Sequence, residues 1–200
     1  MNKEKTLVLI KPDGIQRSLI GEIIKRYERT GLKLIGLKMV IPTKEMAKEH
    51  YYGVGGNEWI EKIGQKARES YESKGMKFPY ETNRENGLVV LESCIKYLSA
   101  GPVVAMVWQG NSAVGLIRKI TGGTEPLSSD VGTIRGDLTL DSYSLADTDQ
   151  RSIRNLIHAS GSTEEAEKEI KIWFEEKELL DYRLINEQIL YDVNLDGILE

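Results

Sequence analysis

Cysteine is almost absent from this 200-residue sequence, which contains only Cys94. A single thiol excludes an internal disulfide framework and a cysteine-based metal cluster, as is typical of proteins from a reducing compartment. Apolar runs are also short, and none reaches the roughly 20 residues that a membrane-spanning helix needs. The first residues, Met-Asn-Lys-Glu-Lys, lead straight into an apolar run without the pattern of a cleavable signal peptide. We therefore expect a cytoplasmic protein that does not bind membranes.

The sequence also lacks an excess of positive charge. Its 27 lysines and arginines are outnumbered by 31 aspartates and glutamates, which gives a net charge of −4 at pH 7. This balance argues against a protein that binds nucleic acids or anionic lipids through bulk charge. Any anionic substrate must then be held by cations placed locally in the site. The length and the 40% hydrophobic content predict a single domain, 1–200, with additions to a minimal core.

Histidine is scarce too, and one of the two histidines, His158, lies in a stretch that suits chemistry at a phosphate group. The apolar residues before it predict a short strand, and a capping box of Ser162 and Glu165 predicts a helix from about Thr163. Glu169 falls on the core-facing side of that helix, where a carboxylate needs a partner. If the carboxylate holds one imidazole nitrogen, the other is free to act as a nucleophile. The alternative is a structural histidine with one ordinary hydrogen bond.

Hydrophobic patterning predicts a regular alternation of strands and helices. Strands are expected at 6–10, 32–41, 103–108 and just before His158, and helices at 16–30, 42–51, 60–74, from about 90, at 112–121 and from 163. Arg135 is expected on a loop. This order predicts an α+β fold, in which a four-stranded antiparallel sheet carries helices on one face in the ferredoxin-like split βαβ arrangement. A fold of this kind does not by itself decide function.

The stretch Asn155-Leu-Ile-His-Ala-Ser-Gly-Ser162 resembles the active-site signature of nucleoside diphosphate kinases, which usually reads Asn-x-x-His-Gly-Ser-Asp-Ser. Five other stretches resemble blocks of that family and occur in the family's order. They are Lys11-Pro-Asp-Gly14, Gly21-Glu-Ile-Ile24, Gly101-Pro-Val-Val-Ala-Met-Val-Trp108, Gly132-Thr-Ile-Arg-Gly-Asp137 and Glu167-Lys-Glu-Ile-Lys-Ile-Trp-Phe174. The resemblance covers about residues 4–183.

This resemblance implies a phosphoryl exchange in two steps. His158 takes the γ-phosphoryl group from a nucleoside triphosphate such as ATP, and a nucleoside diphosphate then takes it from the phosphohistidine, which gives ping-pong kinetics. The catalytic residues implied by the resemblance are His158, Glu169, Ser160 and Lys11, with Glu169 and Ser160 orienting the imidazole. The nucleotide-binding residues implied are Lys11, Tyr51, Arg118, Thr124, Arg135 and Asn155. His50 is interpreted as structural.

The cofactor implied by the resemblance is Mg²⁺, held mainly by the nucleotide phosphates and not by protein ligands. The implied partners are nucleoside triphosphates and diphosphates. The family also implies a homo-oligomer, either a hexamer or a tetramer.

Two segments, at about 53–89 and 138–152, have no counterpart in the typical family member, and a charged tail follows from about 175. The first segment should fold, because its apolar residues recur at helical spacing. It also leaves the family's base-stacking phenylalanine without a clear match. The candidates for that stacking role are Trp59, Phe78 and Tyr80 from the insertion, or Val90 and Leu91 from the helix after it.

The second segment contains Asp141, Asp147 and Asp149 and is expected to be a solvated loop, because these carboxylates lack the spacing of a calcium loop. The tail is expected to pack on a neighbouring surface or subunit.

Two substitutions within the signature leave an alternative open. Ala159 and Gly161 stand where the family usually has glycine and aspartate. The alternative is a regulatory nucleotide-binding module with reduced turnover. An RNA-binding module on the same fold is disfavoured, because the strands lack the aromatic-rich pattern of such modules and the net charge has the wrong sign.

Overall fold

The computed structural model describes residues 3–73, 75 and 77–191. Four strands form one sheet: β1 (Lys3–Ile10), β2 (Lys33–Val40), β3 (Val103–Asn111) and β4 (Ile157–Ala159). They lie in the order β2-β3-β1-β4, and every neighbouring pair is antiparallel. This arrangement confirms the predicted α+β, ferredoxin-like sheet.

The helices in the described part of the chain connect and cover these strands. They are α1 (Pro12–Gln16), α2 (Ile20–Glu28), α3 (Lys44–Lys48), α4 (Val54–Ser73), α5 (Asn83–Leu98), α6 (Ala113–Thr121), α7 (Ile134–Leu138), α8 (Tyr143–Thr148), α9 (Thr163–Trp173) and α10 (Glu187–Tyr191). A π-helical turn, Glu49–Gly53, joins α3 to α4, and a 3₁₀ turn, Glu176–Glu178, follows α9.

Helices cover both faces of the sheet. Alternate side chains of a strand point to opposite faces, and those of β1 pack against different helices on the two sides. Leu7 and Leu9 pack into a core with residues of α4, α5 and α9. Val8 and Ile10 pack into a second core with residues of α2 and α6. The prediction of helices on one face is therefore wrong. The continuous apolar run of β3 is typical of a strand buried on both sides.

The first insertion, at about 53–89, folds, as expected, into the helix α4, and its last residues form the start of α5. Both helices pack into the core that contains Leu7 and Leu9. Ile60 of α4 and Leu91 of α5 are buried beside β1 residues. The two helices approach so closely that a Cβ atom at Gly87 would lie 2.2 Å from the carbonyl oxygen of Ile60. The helix that was predicted from about 90 begins earlier, at Asn83, where the Thr82 side chain accepts a hydrogen bond from the Glu85 backbone.

Two other predictions of local structure are wrong. The helix expected at 16–30 begins only at Ile20, as α2, because Ser18 has a positive φ of 57° that separates α2 from the short helix α1 before it. The second insertion is not a solvated loop: it contains α8, and Asp141 is buried. Arg151 donates two hydrogen bonds to the Asp141 carboxylate, at 2.7 and 2.9 Å, and this bidentate pair closes the insertion on itself.

The C-terminal segment packs on its own sheet. The backbone N–H of Leu180 donates to the carbonyl of Ile35 on the edge strand β2, at 2.8 Å. Lys33 donates to the carbonyl oxygen of Tyr182 at 2.6 Å, and Glu187 lies 3.3 Å from both Lys3 and Lys33. The remainder of the predicted tail, 192–200, lies outside the described residues.

Two surface cavities of about 210 and 200 Å³ border this segment, and neither is lined by a predicted site residue. Across the residues that the structure describes, no helix is both long enough and apolar enough to cross a membrane.

Candidate active site

The site lies where β1 ends beside the start of the antiparallel strand β4. His158 stands opposite Leu9 in the β1–β4 ladder. Just before it, Leu156 has a φ of 65°, and the N–H of Ile157 donates to the carbonyl of Asn155 at 2.7 Å. This is a γ-turn with positive φ, a rare and strained conformation for a residue with a side chain. The N–H of Lys11 donates to the carbonyl of Leu156 at 2.8 Å, so the ends of the two strands are fixed to each other.

The buried Glu169 lies directly beside His158. His158 Nε2 and Glu169 Oε1 lie 2.9 Å apart, an ion-pair distance, although the contact does not meet full hydrogen-bond geometry. Such contacts are often poorly aligned before substrate binds. The other carboxylate oxygen, Oε2, accepts a hydrogen bond of 2.6 Å from the Ser160 hydroxyl. The structure thus brings together His158, Glu169 and Ser160, as the sequence predicted.

Ser160 also completes the sheet where β4 ends. Its own N–H donates to the carbonyl of Leu7, and its hydroxyl accepts the N–H of Leu7 at 3.1 Å. A buried carboxylate that is held in this way stays ionised. Burial alone would raise the pKa of Glu169, but the adjacent imidazole of His158, together with His50 and Ser160, brings it below its ordinary value.

Asn155 connects Lys11 to the loop that carries Thr124. Its Oδ1 accepts a hydrogen bond of 2.8 Å from Lys11 Nζ, and its Nδ2 donates to the carbonyl oxygen of Thr124 at 2.8 Å. Lys11 is 7% exposed, with Nζ 5.0 Å from the centre of the Tyr97 ring. Burial, with the nearby Arg135, lowers the pKa of Lys11 to about 8. Three residues that were predicted to contact the nucleotide therefore lie together.

Arg135 is not on a loop, contrary to the prediction, because it lies in α7 and is buried. Its guanidinium donates to four backbone carbonyls, those of Asn155, Gly122, Gly123 and Ile157, at 2.5–3.1 Å. These bonds use four of the five N–H groups of an arginine and leave one for a ligand. Arg135 therefore connects the backbone at 122–123 to the backbone at 155–157.

Arg118, at the exposed side of α6, complements this buried arginine. It is close enough to Arg135 for its charge to contribute to lowering the pKa of Arg135 to about 10, an effect due first to burial. In the described part of the chain its side chain makes no hydrogen bond or ion pair. It is therefore a cation free to meet an anionic ligand.

Tyr51 lies in the π-helical turn Glu49–Gly53, and turns of this type frequently occur at functional sites. Its ring is 4.8 Å from that of His50 and 5.9 Å from that of Trp59. His50 in turn packs edge-to-face against His158, with the ring centres 4.3 Å apart. Burial raises the pKa of Tyr51 well above its ordinary value. The predicted tyrosine thus reaches the site beside His50.

Three residues of the site were not predicted from the sequence. His50 was interpreted as structural, yet it contacts His158. Asp13 accepts the N–H of Leu156 at 3.2 Å and so supports the strained turn, while Tyr97 lies against Lys11. Asp13 belongs to the Lys11-Pro-Asp-Gly14 block, which was a usable signal. No local pattern distinguished His50 or Tyr97.

The substitution at Gly161 is compensated locally. The Glu165 carboxylate accepts the N–H of Gly161 at 2.9 Å, and a Cβ atom at position 161 would meet that carboxylate. Only half of the predicted capping box forms, since Ser162 accepts the N–H of Glu165 but the carboxylate reaches Gly161. The departure from the family signature therefore leaves the contacts of His158 intact.

Comparison with known proteins agrees with this geometry. The model of the nucleoside diphosphate kinase family matches residues 4–70 and 62–179. A curated nucleoside diphosphate kinase of Pyrobaculum aerophilum is 43% identical over 185 residues, which cover 90% of this chain and 100% of that protein. The chain belongs to the nucleoside diphosphate kinase family. It is therefore a phosphotransferase that exchanges the γ-phosphoryl group between nucleoside triphosphates and diphosphates.

Solved structures support membership of this family at the level of the fold. The crystal structure of the Pyrobaculum aerophilum nucleoside diphosphate kinase superposes with a TM-score of 0.85 at 41% identity, covering 90% of this chain and all of that one. A Borrelia burgdorferi nucleoside diphosphate kinase, solved as a transition-state mimic with vanadate and ADP, gives a TM-score of 0.74 at 34% identity, covering 94% and 96%.

Proposed function

We propose that His158 carries the phosphoryl group of the nucleoside diphosphate kinase reaction and that its Nδ1 atom is the nucleophile. The observation that supports this most strongly is the contact of 2.9 Å between Nε2 and Glu169, because a ring nitrogen held by a carboxylate faces away from the substrate. Nδ1 has no partner among the described residues, and the side chain is partly exposed. The vanadate and ADP bound by the Borrelia burgdorferi relative are ligands of the kind that this site would hold.

The cations of the site would hold the phosphates. Lys11 and Arg118 bring positive charge to the site of a protein whose net charge is negative, and Arg135 has one N–H group left. Charge develops on the phosphoryl oxygens in the transition state, so fixed cations there accelerate transfer. Asn155 lies beside Lys11 and Thr124, and Tyr51 lies beside His50; Asn155, Thr124 and Tyr51 would contact the sugar and phosphates. Glu169 and Ser160 would keep the imidazole in place through both transfers.

Mg²⁺ fits this site if it binds together with the nucleotide. Among the described residues, the group that could offer metal ligands is His50, His158 and Glu169, with two imidazoles and one carboxylate. Mg²⁺ prefers oxygen ligands in octahedral geometry, so this group suits it poorly. We propose that phosphate oxygens and water hold Mg²⁺, as substrate phosphates often do. When bound, the ion neutralises part of the phosphate charge.

Trp59 is the best candidate for stacking on the base. Phe78 is only 8% exposed, and the rings of Tyr71 and Tyr80 and the guanidinium of Arg68 enclose it. Trp59 instead lies beside Tyr51, a predicted site residue. A stacked base makes no edge-specific hydrogen bonds, which would permit several different nucleotides to bind.

A homo-oligomer is supported by two apolar surfaces. The edge strand β2 and the residue after it expose Leu37, Met39 and Ile41, each more than half accessible. The loop after α6 exposes Leu127 and Val131 at 73% and 94%. Two separate surfaces can build a dimer and then a larger closed assembly, for which we propose a hexamer, with a tetramer as the alternative. Sedimentation equilibrium would test this, since a monomer at micromolar concentration would contradict it.

A cytoplasmic location is consistent with the single cysteine, which is usual in a reducing compartment.

Initial-rate kinetics test the proposed function. With ATP and a second nucleoside diphosphate varied together, the double-reciprocal plots should be parallel, as a phosphoenzyme intermediate requires. Intersecting lines would contradict the intermediate. Nucleotide binding without any turnover would instead indicate the regulatory module.

A further inference from the structure

His50 is enclosed by aromatic rings directly behind His158. It is 2% exposed, and its ring stands edge-to-face to those of His158, Tyr51 and Trp173, with centres 4.3, 4.8 and 5.8 Å away. The indole Nε1 of Trp173 lies 3.3 Å from His50 Nδ1. Its other ring nitrogen, Nε2, is buried and has no hydrogen-bond partner among the described residues. A buried polar atom of this kind requires an explanation.

Trp173 fixes the protonation of His50. An indole N–H can only donate, so Nδ1 of His50 must accept. Burial, and then the charge of His158, lower the pKa of His50 to about 3. The ring is therefore neutral near pH 7, and its one proton is on Nε2.

A metal site is the competing explanation for this cluster. One ligand atom each from His50, His158 and Glu169 lies within 4.8 Å of the others, and two imidazoles with a carboxylate suit Zn²⁺. However, a metal on His50 Nε2 would force the ring proton onto Nδ1, where it would oppose the N–H of Trp173. Because the Trp173 N–H occupies Nδ1, the ring proton of His50 stays on Nε2, which is therefore a hydrogen-bond donor and not a metal ligand.

We propose that His50 is a positioning residue, whose Nε2–H group and ring edge hold the His158–Glu169 pair so that His158 Nδ1 faces the nucleotide in both transfers. This inference rests on the proposed role of His158. When Nδ1 carries the phosphoryl group, Nε2 keeps its proton and Glu169 bears more of the local charge. A neutral donor beside that carboxylate stabilises it without placing a second cation next to the imidazole. The Nε2–H group makes no hydrogen bond to the residues that the structure describes, and it donates to Glu169 only in the reacting complex, where catalytic hydrogen bonds commonly form fully.

The test measures phosphoenzyme formation in single-turnover experiments with ATP. His50→Phe keeps a ring of similar shape but removes both nitrogens, so the rate should fall about tenfold, as for one lost hydrogen bond in the transition state. The dissociation constant for ADP should not change, because His50 does not face the phosphates. His50→Gln retains an N–H donor near the position of Nε2 and should recover most of the rate. Trp173→Phe should also slow the step, because His50 can then adopt the other tautomer.

Tyr27→Phe is the matched control. It removes a buried hydroxyl that pairs with Thr121 at 2.7 Å in the other core, so it perturbs stability without touching His158. Its phosphorylation rate should equal that of the parent.

Two results would overturn the proposal. One is a parent-like rate in His50→Phe, or a slow rate that His50→Gln does not restore. The other is stoichiometric Zn²⁺ binding in equilibrium dialysis that His50→Phe abolishes, which would make the cluster a metal site. If the parent forms no phosphohistidine at residue 158, the proposed function fails instead, so the two failures can be told apart.

Discussion

Replacing Ser160 by alanine should weaken both the fold and the chemistry. The hydroxyl donates to Glu169 at 2.6 Å and accepts the buried N–H of Leu7 at 3.1 Å. Hydrogen bonds to charged groups contribute about 1.5–3 kcal/mol, and an unsatisfied buried N–H costs about 1–3 kcal/mol, so Ser160→Ala should lower the free energy of unfolding by about 2.5–6 kcal/mol. Urea denaturation monitored by circular dichroism would measure this loss.

Ser160→Ala should also shift the pH dependence of turnover. The Ser160 hydroxyl stabilises the ionised carboxylate, so its loss raises the pKa of Glu169 from its lowered value. The stability that this carboxylate contributes is present above its unfolded pKa and is lost as the pH falls through its folded pKa. In Ser160→Ala, both the acid limb of the turnover profile and the acid unfolding transition should therefore move to higher pH.

Ser162→Ala is the matched control. Ser162 caps α9 through the N–H of Glu165, at 3.2 Å, and does not contact Glu169. Loss of such a cap costs about 0.5–2 kcal/mol. The reasoning is refuted if Ser160→Ala loses no more stability than Ser162→Ala and keeps its turnover and pH profile.

Three further predictions concern other parts of the site. Glu169→Gln keeps the shape of the side chain but removes the charge beside His158, so kcat should fall while ADP affinity, measured by calorimetry, changes little; unchanged kcat would mean that the carboxylate is only structural. Because burial lowers the pKa of Lys11 to about 8, ADP affinity should decline as the pH rises through about 8, and Lys11→Gln should remove that dependence. Trp59→Ala should weaken binding of every nucleotide by about 1–3 kcal/mol, with Tyr80→Ala as the unaffected control, whereas parent-like binding would assign stacking to Val90, since Leu91 is buried in the core.

The sheet was predictable because its strands are defined by local patterns. The apolar run of β1 ends at Lys11, and the run of β3 is continuous, so both strands could be located from the sequence alone. The same continuous run indicated burial on both faces, and the expectation of helices on one face overlooked that signal. The second insertion was harder to predict, because its order depends on the Asp141–Arg151 pair, which has no periodic signature.

The site residues that lie in a family block could be predicted from the sequence. Those that tertiary packing brings to the site could not. His158, Glu169 and Ser160 lie within one short segment, whose turn and cap position them. His50 gains its role from Trp173, which lies 123 residues away in the chain. Likewise, the burial of Arg135 depends on four carbonyls contributed by two separate segments.

The most direct test of this account is the identity of the phosphorylated atom. After incubation with ATP, the isolated phosphoenzyme should carry an acid-labile, base-stable phosphoryl group on His158. ³¹P and ¹⁵N NMR should place that group on Nδ1, since Glu169 holds Nε2. Adding a nucleoside diphosphate should discharge it, and His158→Ala should take up no label. A phosphoryl group on Nε2, or label undiminished in His158→Ala, would contradict the account.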